Sequence, residues 1–212
     1  MRLRNVTGAK ETLFANENVV NNPTEHKGKW HEVFNNDHDI HLEIGMGKGD
    51  FIIEKAIANP NINYLGIEKY DSVLVRAIEK LTEPLPNLKL IRFDATYIDQ
   101  LFDGEISLIY LNHSDPWPKD RHAKRRLTSP IFLKLYQAIS KGNVNIDMRT
   151  DNQGLFNYSK AIIPDNDYQI IKISEDYKSD DGIMTEYERK FRSKNQPIYY
   201  IRATYVKDKS LL

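Results

Sequence analysis

Residues 115 to 126 combine three side-chain chemistries that a nucleic-acid site uses. Asp115 and Trp117 alternate with prolines in the run Asp115-Pro116-Trp117-Pro118, which directly follows an apolar segment. The next eight residues, 119–126, include five lysines and arginines. A carboxylate, an aromatic plane and a cationic patch together indicate a site that handles a nucleobase held by its phosphates.

Each of these features also has a purely structural interpretation. Asp115 before a proline is typical of a turn in which the carboxylate accepts a backbone hydrogen bond. Trp117 is a side-chain type that packs in or beside a core. The basic run would then be a solvated segment before a helix, although arginine suits bidentate phosphate contact. For Asp115 the residues alone leave both interpretations open.

A glycine-rich loop follows the first predicted strand. Gly45, Gly47 and Gly49 would let the backbone approach a ligand closely, as a cofactor loop requires. The alternative is a tight turn that packs a strand on a helix. A dinucleotide fingerprint would need a glycine where Asp50 stands, which disfavours a nicotinamide oxidoreductase.

Carboxylates stand at the ends of four predicted strands: Glu43, Glu68, Asp94 and Asp115. In an open α/β sheet, ligands bind beyond the carboxyl ends of the strands where the strand order reverses. We therefore expect the four acids to surround one site, although Glu68 or Asp94 alone would be an ordinary solvated acid. Glu68 lies 21 residues after Gly47, a spacing that suits the hydroxyls of a ribose.

Alternating βα units dominate the pattern of apolar residues. The predicted strands are 40–44, 63–68, 88–94, 105–111, 144–148, 168–173 and 198–205, and the predicted helices are 51–57, 72–81, 131–140 and 154–163. Such alternation favours an open, mostly parallel sheet with helices on both faces. The last strand is expected to form a hairpin with the sixth.

Composition limits the class of protein. The 212 residues are 40% hydrophobic and 28% charged, which predicts one globular domain, 1–212, with a polar N-terminal arm (1–36) and a core (37–212). No apolar run suits a membrane span, and the basic N-terminus lacks the features of a secretory signal, so we expect a cytoplasmic protein. The absence of cysteine excludes thiol chemistry. Because the net charge is zero, the basic stretch indicates a local patch.

The chain resembles the class I S-adenosylmethionine-dependent methyltransferases and, more narrowly, the bacterial tRNA (guanine-N7)-methyltransferase family, over nearly its whole length. The resemblance depends on Glu43-Ile44-Gly45-Met46-Gly47-Lys48-Gly49, on Ser114-Asp115-Pro116-Trp117-Pro118-Lys119 with Arg121-His122 and Lys124-Arg125-Arg126-Leu127, on Thr150-Asp151-Asn152 with Gly154-Leu155-Phe156, and on Thr185-Glu186-Tyr187-Glu188 with Phe191. Many methyltransferases share the first motif, whereas the other three in this order are specific.

The resemblance implies a Rossmann-like class I methyltransferase fold of the α/β class. Its sheet would be mostly parallel and seven-stranded, with an antiparallel C-terminal strand and helices on both faces. It also implies methyl transfer from S-adenosylmethionine to N7 of guanosine 46 in the variable loop of tRNA, by a monomer or homodimer without a metal.

The same resemblance assigns roles to matching positions. The residues that would bind the cofactor are Glu43, Gly45, Gly47, Gly49, Glu68, Asp94 and Asp115, and Asp115 would also face the target base as the catalytic residue. The residues that would contact the substrate are Lys119, Asp151, Thr185, Glu186, Tyr187 and Glu188. Those that would hold the tRNA backbone are Arg121, His122, Lys124, Arg125 and Arg126.

Guanine N7 carries a lone pair and no proton, so transfer needs in-line placement more than it needs a base. We therefore expect Asp115 to orient the guanine and to stabilise the positive charge that the ring gains. The alternatives are another RNA base methyltransferase and a catalytically silent RNA-binding relative. For Thr185 to Glu188, the alternative to a substrate-binding lid is a surface loop or a helical turn with a threonine cap.

Three residues depart from the resemblance. His113 stands where an aromatic residue such as Phe is usual, Arg149 where Lys is more typical, and Asn195 where Gly is common. None of them removes a catalytic position. His113 could introduce a pH dependence near the cofactor pocket.

Overall fold

The computed structural model describes residues 9–207 of the chain. Seven strands form one sheet: β1 (Ile40–Ile44), β2 (Asn63–Glu68), β3 (Leu88–Arg92), β4 (Ile106–Asn112), β5 (Val144–Thr150), β6 (Gln169–Ser174) and β7 (Tyr199–Tyr205). Their order across the sheet is β3-β2-β1-β4-β5-β7-β6. Strands β1 to β5 pair in parallel, and β7 pairs antiparallel with both β5 and β6. The predicted sheet is confirmed, and the sequence pattern missed only the insertion of β7 beside β5.

The helices are α1 (Ala9–Phe14), α2 (Trp30–Phe34), α3 (Asp50–Ala58), α4 (Asp71–Ile78), α5 (Pro130–Ile139), α6 (Gln153–Asp165) and α7 (Glu186–Arg192). Short 3-10 helices cover Pro23–His26, Ala95–Gln100 and Asp120–Arg125. Helices α3 to α6 are the four that the apolar spacing predicts. Proline at the first position of α5 follows Ser129 as expected, because that position needs no backbone donor.

Two apolar clusters cover the two faces of the sheet. Alternate residues of a strand point to opposite faces, so Leu111 joins one cluster while Tyr110 joins the other. Helices α2, α5 and α6 supply the first cluster, and α1, α3 and α4 supply the second. The sheet is therefore clamped between helices, as the α/β prediction requires.

The region predicted as a polar N-terminal arm packs on the core where it is described. Trp30 is fully buried, and its indole N–H donates to the carbonyl of Leu101 at 2.8 Å. The amide of Asn18 donates to the carbonyls of Leu85 and Leu88 at 2.8 and 2.7 Å. Residues 1–8, which include the basic start of the predicted arm, lie outside the described residues.

The strand order reverses between β1 and β4, which are neighbours although they are not consecutive in sequence. At such a reversal the connections leave in opposite directions and open a crevice beyond the strand ends. No helix within residues 9–207 is long and apolar enough to cross a membrane.

Candidate active site

The crevice at the strand reversal is a pocket. One wall is the end of β1, which contributes Glu43, and the glycine loop after it, which contributes residues 45–48. The floor is the end of β4, where Asn112 and His113 lie. The opposite wall is the start of α7, formed by residues 185–187. The pocket therefore joins the first and last of the motifs on which the family resemblance depends.

The glycine loop divides into two parts with different roles. Gly45 and Gly47 have φ values of 72° and 58°, and a Cβ atom added to either would meet nothing within 4 Å. A Cβ on Gly49 would instead lie 2.9 Å from the Cβ of Ala77 on α4. Gly45 and Gly47 thus keep space open beside the pocket, whereas Gly49 allows α3 to pack closely on α4.

Glu43 is a buried carboxyl group on the pocket wall. The amide of Asn112 donates to its Oε1 at 2.8 Å, while Oε2 and the Asn112 carbonyl oxygen have no partner among the described residues. Burial raises the pKa of Glu43 to about 8, which outweighs the hydrogen bond from Asn112 and the charge of Arg149. The two unpartnered oxygens are free to accept hydrogen bonds from a cationic ligand.

Glu68, at the end of β2, is bonded to the glycine loop. Its carboxylate accepts hydrogen bonds from the backbone N–H groups of Gly47, Lys69 and Tyr70 at 3.2, 2.9 and 3.1 Å. Burial raises the pKa of Glu68 despite these bonds, and the negative charge of Asp115 raises it further. The charge of Asp115 therefore acts on Glu68.

Asp94 stands just after β3 and begins a short helix. Its carboxylate accepts from the N–H of Thr96 at 3.1 Å and from Lys69 Nζ at 2.6 Å. Burial acts to raise the pKa of Asp94, but the bonds from Lys69 and Thr96 outweigh it, so the pKa is lowered. This carboxylate is charged at neutral pH and partly exposed, and it is not among the residues that line the pocket.

The side chain of Arg126 holds the loop after β4 through hydrogen bonds to two of its carbonyl groups. Arg126 Nε and Nη2 donate to the carbonyls of Pro116 and Trp117 at 3.1 and 3.0 Å, and its guanidinium lies 4.2 Å from the ring centre of Tyr158. The side chain is buried, and Trp117 has the unusual φ of 42°. Arg126 could contact RNA, as predicted, only by giving up its hydrogen bonds to Pro116 and Trp117.

The remaining basic residues differ from Arg126. Arg121, Lys124 and Arg125 are exposed, as is Lys119, and His122 is half-buried. The Arg125 guanidinium lies 4.9 Å from the centre of the Trp117 ring. Asp115 is also exposed, at the same edge. An aromatic plane, a carboxylate and exposed cations therefore lie in one segment, which directly follows the pocket residues Asn112 and His113 in the sequence.

The segment from Thr185 to Glu188 forms the start of α7. Thr185 Oγ1 accepts the N–H of Glu188 at 2.9 Å, which is the threonine cap of the structural alternative. Glu188 is fully buried between Arg149 and Arg192, each at 3.2 Å. Glu186 and Tyr187 are about half exposed and line the pocket, and Glu186 pairs with Lys48 at 2.7 Å. The first-turn residues facing the pocket are thus Thr185, Glu186 and Tyr187.

Asn112 and Lys48 are pocket residues to which the sequence interpretation gave no role. Asn112 ends β4 and could have been found by the same strand-end rule that identifies the four acids. Lys48 lies between two loop glycines and reaches Glu186, 138 residues away, which no local pattern could indicate.

An α/β sheet of this order, with a glycine loop and a strand-end acid at the reversal, defines a class I methyltransferase fold. Solved structures agree: the 16S rRNA methyltransferase KamB has a TM-score of 0.66 at 13% identity, covering 84% of this chain and 93% of that one. A 16S rRNA (adenine(1408)-N(1))-methyltransferase from Catenulisporales acidiphilia has a TM-score of 0.65 at 14% identity, covering 86% and 92%. At such low identity these similarities concern the fold alone.

The sequence comparisons are more specific. Residues 37–201 match the family described as "Putative methyltransferase". A tRNA (guanine-N(7)-)-methyltransferase of Geobacillus sp. (strain WCH70) is 50% identical, covering 97% of this chain and 96% of that protein. The protein of that name from Lachnoclostridium phytofermentans is 49% identical, covering 96% and 98%. The chain belongs to the bacterial tRNA (guanine-N7)-methyltransferase family.

Proposed function

We propose that this protein transfers the methyl group of S-adenosylmethionine to N7 of guanosine 46 in the variable loop of tRNA. The observation that carries the proposal is the pocket at the strand reversal, which the glycine loop, the end of β4 and residues 185–187 form together. The exposed basic stretch follows the end of β4 in the sequence. The names of relatives 45–50% identical over nearly their whole length support the substrate.

The pocket residues fit S-adenosylmethionine by their chemistry. The unpartnered oxygens of Glu43 and Asn112 are acceptors for an ammonium group. The open space at Gly45 and Gly47 admits a ligand against the backbone, and Glu68 supplies a carboxylate for ribose hydroxyls. Asp94 stays the proposed neighbour of the adenine. When bound, the cofactor supplies an electrophilic methyl group on a sulfonium.

The protein's own contribution to the reaction is placement and charge. Guanine N7 has no proton to lose, so Asp115 has no need to act as a base at that atom. Its exposed carboxylate, two residues after the pocket residue His113, would orient the guanine and stabilise the positive charge that develops on the methylated ring. Stabilisation of this kind acts most strongly when the site excludes water, and residues 185–187 supply the wall for that.

The tRNA would lie over the exposed basic stretch. Arg121, His122, Lys124 and Arg125 are the proposed contacts to its backbone, and Trp117 offers a plane for a base. Lys119, Asp151 and Thr185 to Glu188 stay the proposed substrate contacts. Within that set the buried Glu188 would act through Arg149, which it pairs with. We further propose a single metal-free domain that acts in the cytoplasm as a monomer or homodimer.

Transfer of labelled methyl groups to an unmodified tRNA transcript tests the proposal. A transcript with adenosine at position 46 is the matched control, because it removes the target guanosine and leaves every other nucleotide unchanged. We expect label in the first transcript and none in the second. Binding of tRNA without binding of S-adenosylmethionine would favour a silent RNA-binding relative, and equal labelling of both transcripts would indicate another acceptor nucleotide.

A further inference from the structure

His113 is a pocket residue whose imidazole ring has only one of its two nitrogens in use. The residue follows β4, its side chain is 3% exposed, and it lines the pocket. Its φ of 47° is in the left-handed region, and its backbone N–H donates to the carbonyl of Arg149 at 2.8 Å. The backbone conformation of His113 is therefore fixed independently of its side-chain contacts.

The ring itself is fixed on two sides. His113 Nδ1 lies 3.0 Å from Oδ1 of Asp151. The rings of Tyr187 and Phe191, both on α7, stack near it with centroid distances of 5.9 and 6.1 Å and interplanar angles of 26° and 25°. The ring therefore has little freedom to turn.

The protonation state of Asp151 decides which ring nitrogen carries the hydrogen. Burial acts to raise the pKa of Asp151, but the hydrogen bond from His113 and the charge nearby outweigh it and lower the pKa. Asp151 is thus a carboxylate at neutral pH and can only accept, so Nδ1 must be the donor. A neutral imidazole with hydrogen on Nδ1 has a free lone pair on Nε2.

That lone pair is buried and unused. Nε2 has no hydrogen-bond partner within the described part of the chain, and no solvent reaches it. Buried acceptors are almost always satisfied, so an unsatisfied one on a pocket residue indicates a partner that arrives with the ligand.

We propose that His113 is a further ligand-positioning residue, whose Nε2 accepts a hydrogen bond from an N–H group of a bound reactant. Two reactants of the proposed function carry such a group. One is the cofactor, through its ammonium, and the other is the target guanine, through N1–H and its exocyclic amine. The inference rests on the proposed function for these two reactants, and each is tested separately.

Three substitutions separate the two ring nitrogens. His113→Phe keeps a ring against Tyr187 and Phe191 and removes both nitrogens. His113→Asn keeps a donor that can reach Asp151 but has no atom at the position of Nε2. His113→Gln keeps an acceptor near that position. We expect the dissociation constant of the affected reactant to rise about 3- to 10-fold in the Phe and Asn variants and to stay near the original value in the Gln variant.

Two binding measurements identify the reactant. Calorimetry with S-adenosylmethionine reports the cofactor, and tRNA binding in the presence of the demethylated cofactor reports the base. Weakening in either measurement supports the proposal. Unchanged binding in both measurements would overturn it. So would near-normal binding by the Asn variant with weak binding by the Gln variant, because the contact of Nδ1 with Asp151 would then account for the whole effect.

Nitrogen NMR of the ring gives a readout independent of methyl transfer. The expected spectrum of the free protein shows the ring hydrogen on Nδ1 and none on Nε2, with the Nε2 resonance moving when the identified reactant binds. A ring protonated at Nε2 would overturn the proposal whichever base is methylated. Failure of the labelled-transcript experiment with an intact NMR result would instead contradict only the proposed substrate. Thermal unfolding of each variant checks that the fold is retained.

Discussion

At the scale of single residues, burial of Glu43 couples ligand binding to the release of a proton. Its carboxyl group has a pKa raised to about 8, so at pH 7 it is mostly neutral in the free protein. A cation in the adjoining pocket favours the ionised form, and binding must then release a proton. The cofactor we propose carries such positive charges.

The affinity for S-adenosylmethionine should therefore rise with pH up to about pH 8 and level off above it, because the free protein no longer has a proton to lose there. Release of one proton can raise the affinity by at most about tenfold per pH unit. Calorimetry in two buffers of different ionisation enthalpy measures the released proton. Glu43→Gln should lose the proton release while keeping any pH effect of the cofactor's own amino group. Equal proton release from both proteins would contradict the assignment.

Asp115 makes a second prediction at this scale. Asp115→Asn keeps the shape of the side chain and removes its charge, so methyl transfer at saturating cofactor should fall by about 10²-fold. Asp103→Asn is a matched control, because Asp103 is an exposed acid that precedes β4 and so lies at the opposite end of the strands from the pocket. Single-turnover transfer at saturating cofactor is the measurement. Near-normal transfer by the Asp115 variant would show that the carboxylate is dispensable.

At the scale of elements, the contact between α3 and α4 depends on one glycine. Gly49 and Gly142 both have positive φ, 76° and 64°, but a Cβ atom would meet Ala77 at 2.9 Å only at Gly49. Gly142→Ala should cost about 1 kcal/mol from backbone strain alone. Gly49→Ala should cost a further 1 to 3 kcal/mol or so because the helices must separate. Urea unfolding of the two variants compares the costs, and equal losses would refute the packing role.

The sequence predicted most elements because their patterns are local. Alternation in β1 to β5 and helical spacing in α3 to α6 depend on neighbours within one turn or strand. Helix α2 was missed because it has five residues, too few for periodicity to show, although Trp30 is fully buried. Asn195, placed where a glycine is common, has a φ of 56°, which asparagine tolerates better than most residues.

The positions of three candidate acids were predictable from strand ends. Glu43 and Glu68 lie within the last two residues of β1 and β2, Asp94 lies two residues after β3, and the parallel sheet brings them to the same end of the strands. Glu43 alone of the three lines the pocket. Burial of charged side chains was not predictable, since it depends on distant partners. Glu188 can be buried because it pairs with Arg149, and that partner lies 39 residues away in the sequence. Arg126 is buried because a loop of unusual backbone conformation presents two carbonyls to it.

At the scale of the whole molecule, a chain of zero net charge must bind a polyanion through a local patch. tRNA affinity should fall with salt concentration, and the slope of log K against log salt counts the phosphates neutralised. Arg121→Gln should reduce that slope by about one unit. The slope should stay unchanged in Lys160→Gln, an exposed residue on α6, and in Arg126→Gln, whose guanidinium is engaged within the chain. A reduced slope for Arg126→Gln would place that side chain on the phosphates.

The atom that receives the methyl group is the most direct test of the account. Methylation at N7 makes guanosine labile to mild reduction followed by aniline, which cuts the RNA strand at that nucleotide. After incubation of unmodified tRNA with the protein and S-adenosylmethionine, the account predicts a single new cut at guanosine 46. Methyl label that enters the tRNA without creating this cut, or label recovered on an exocyclic amine, would contradict it.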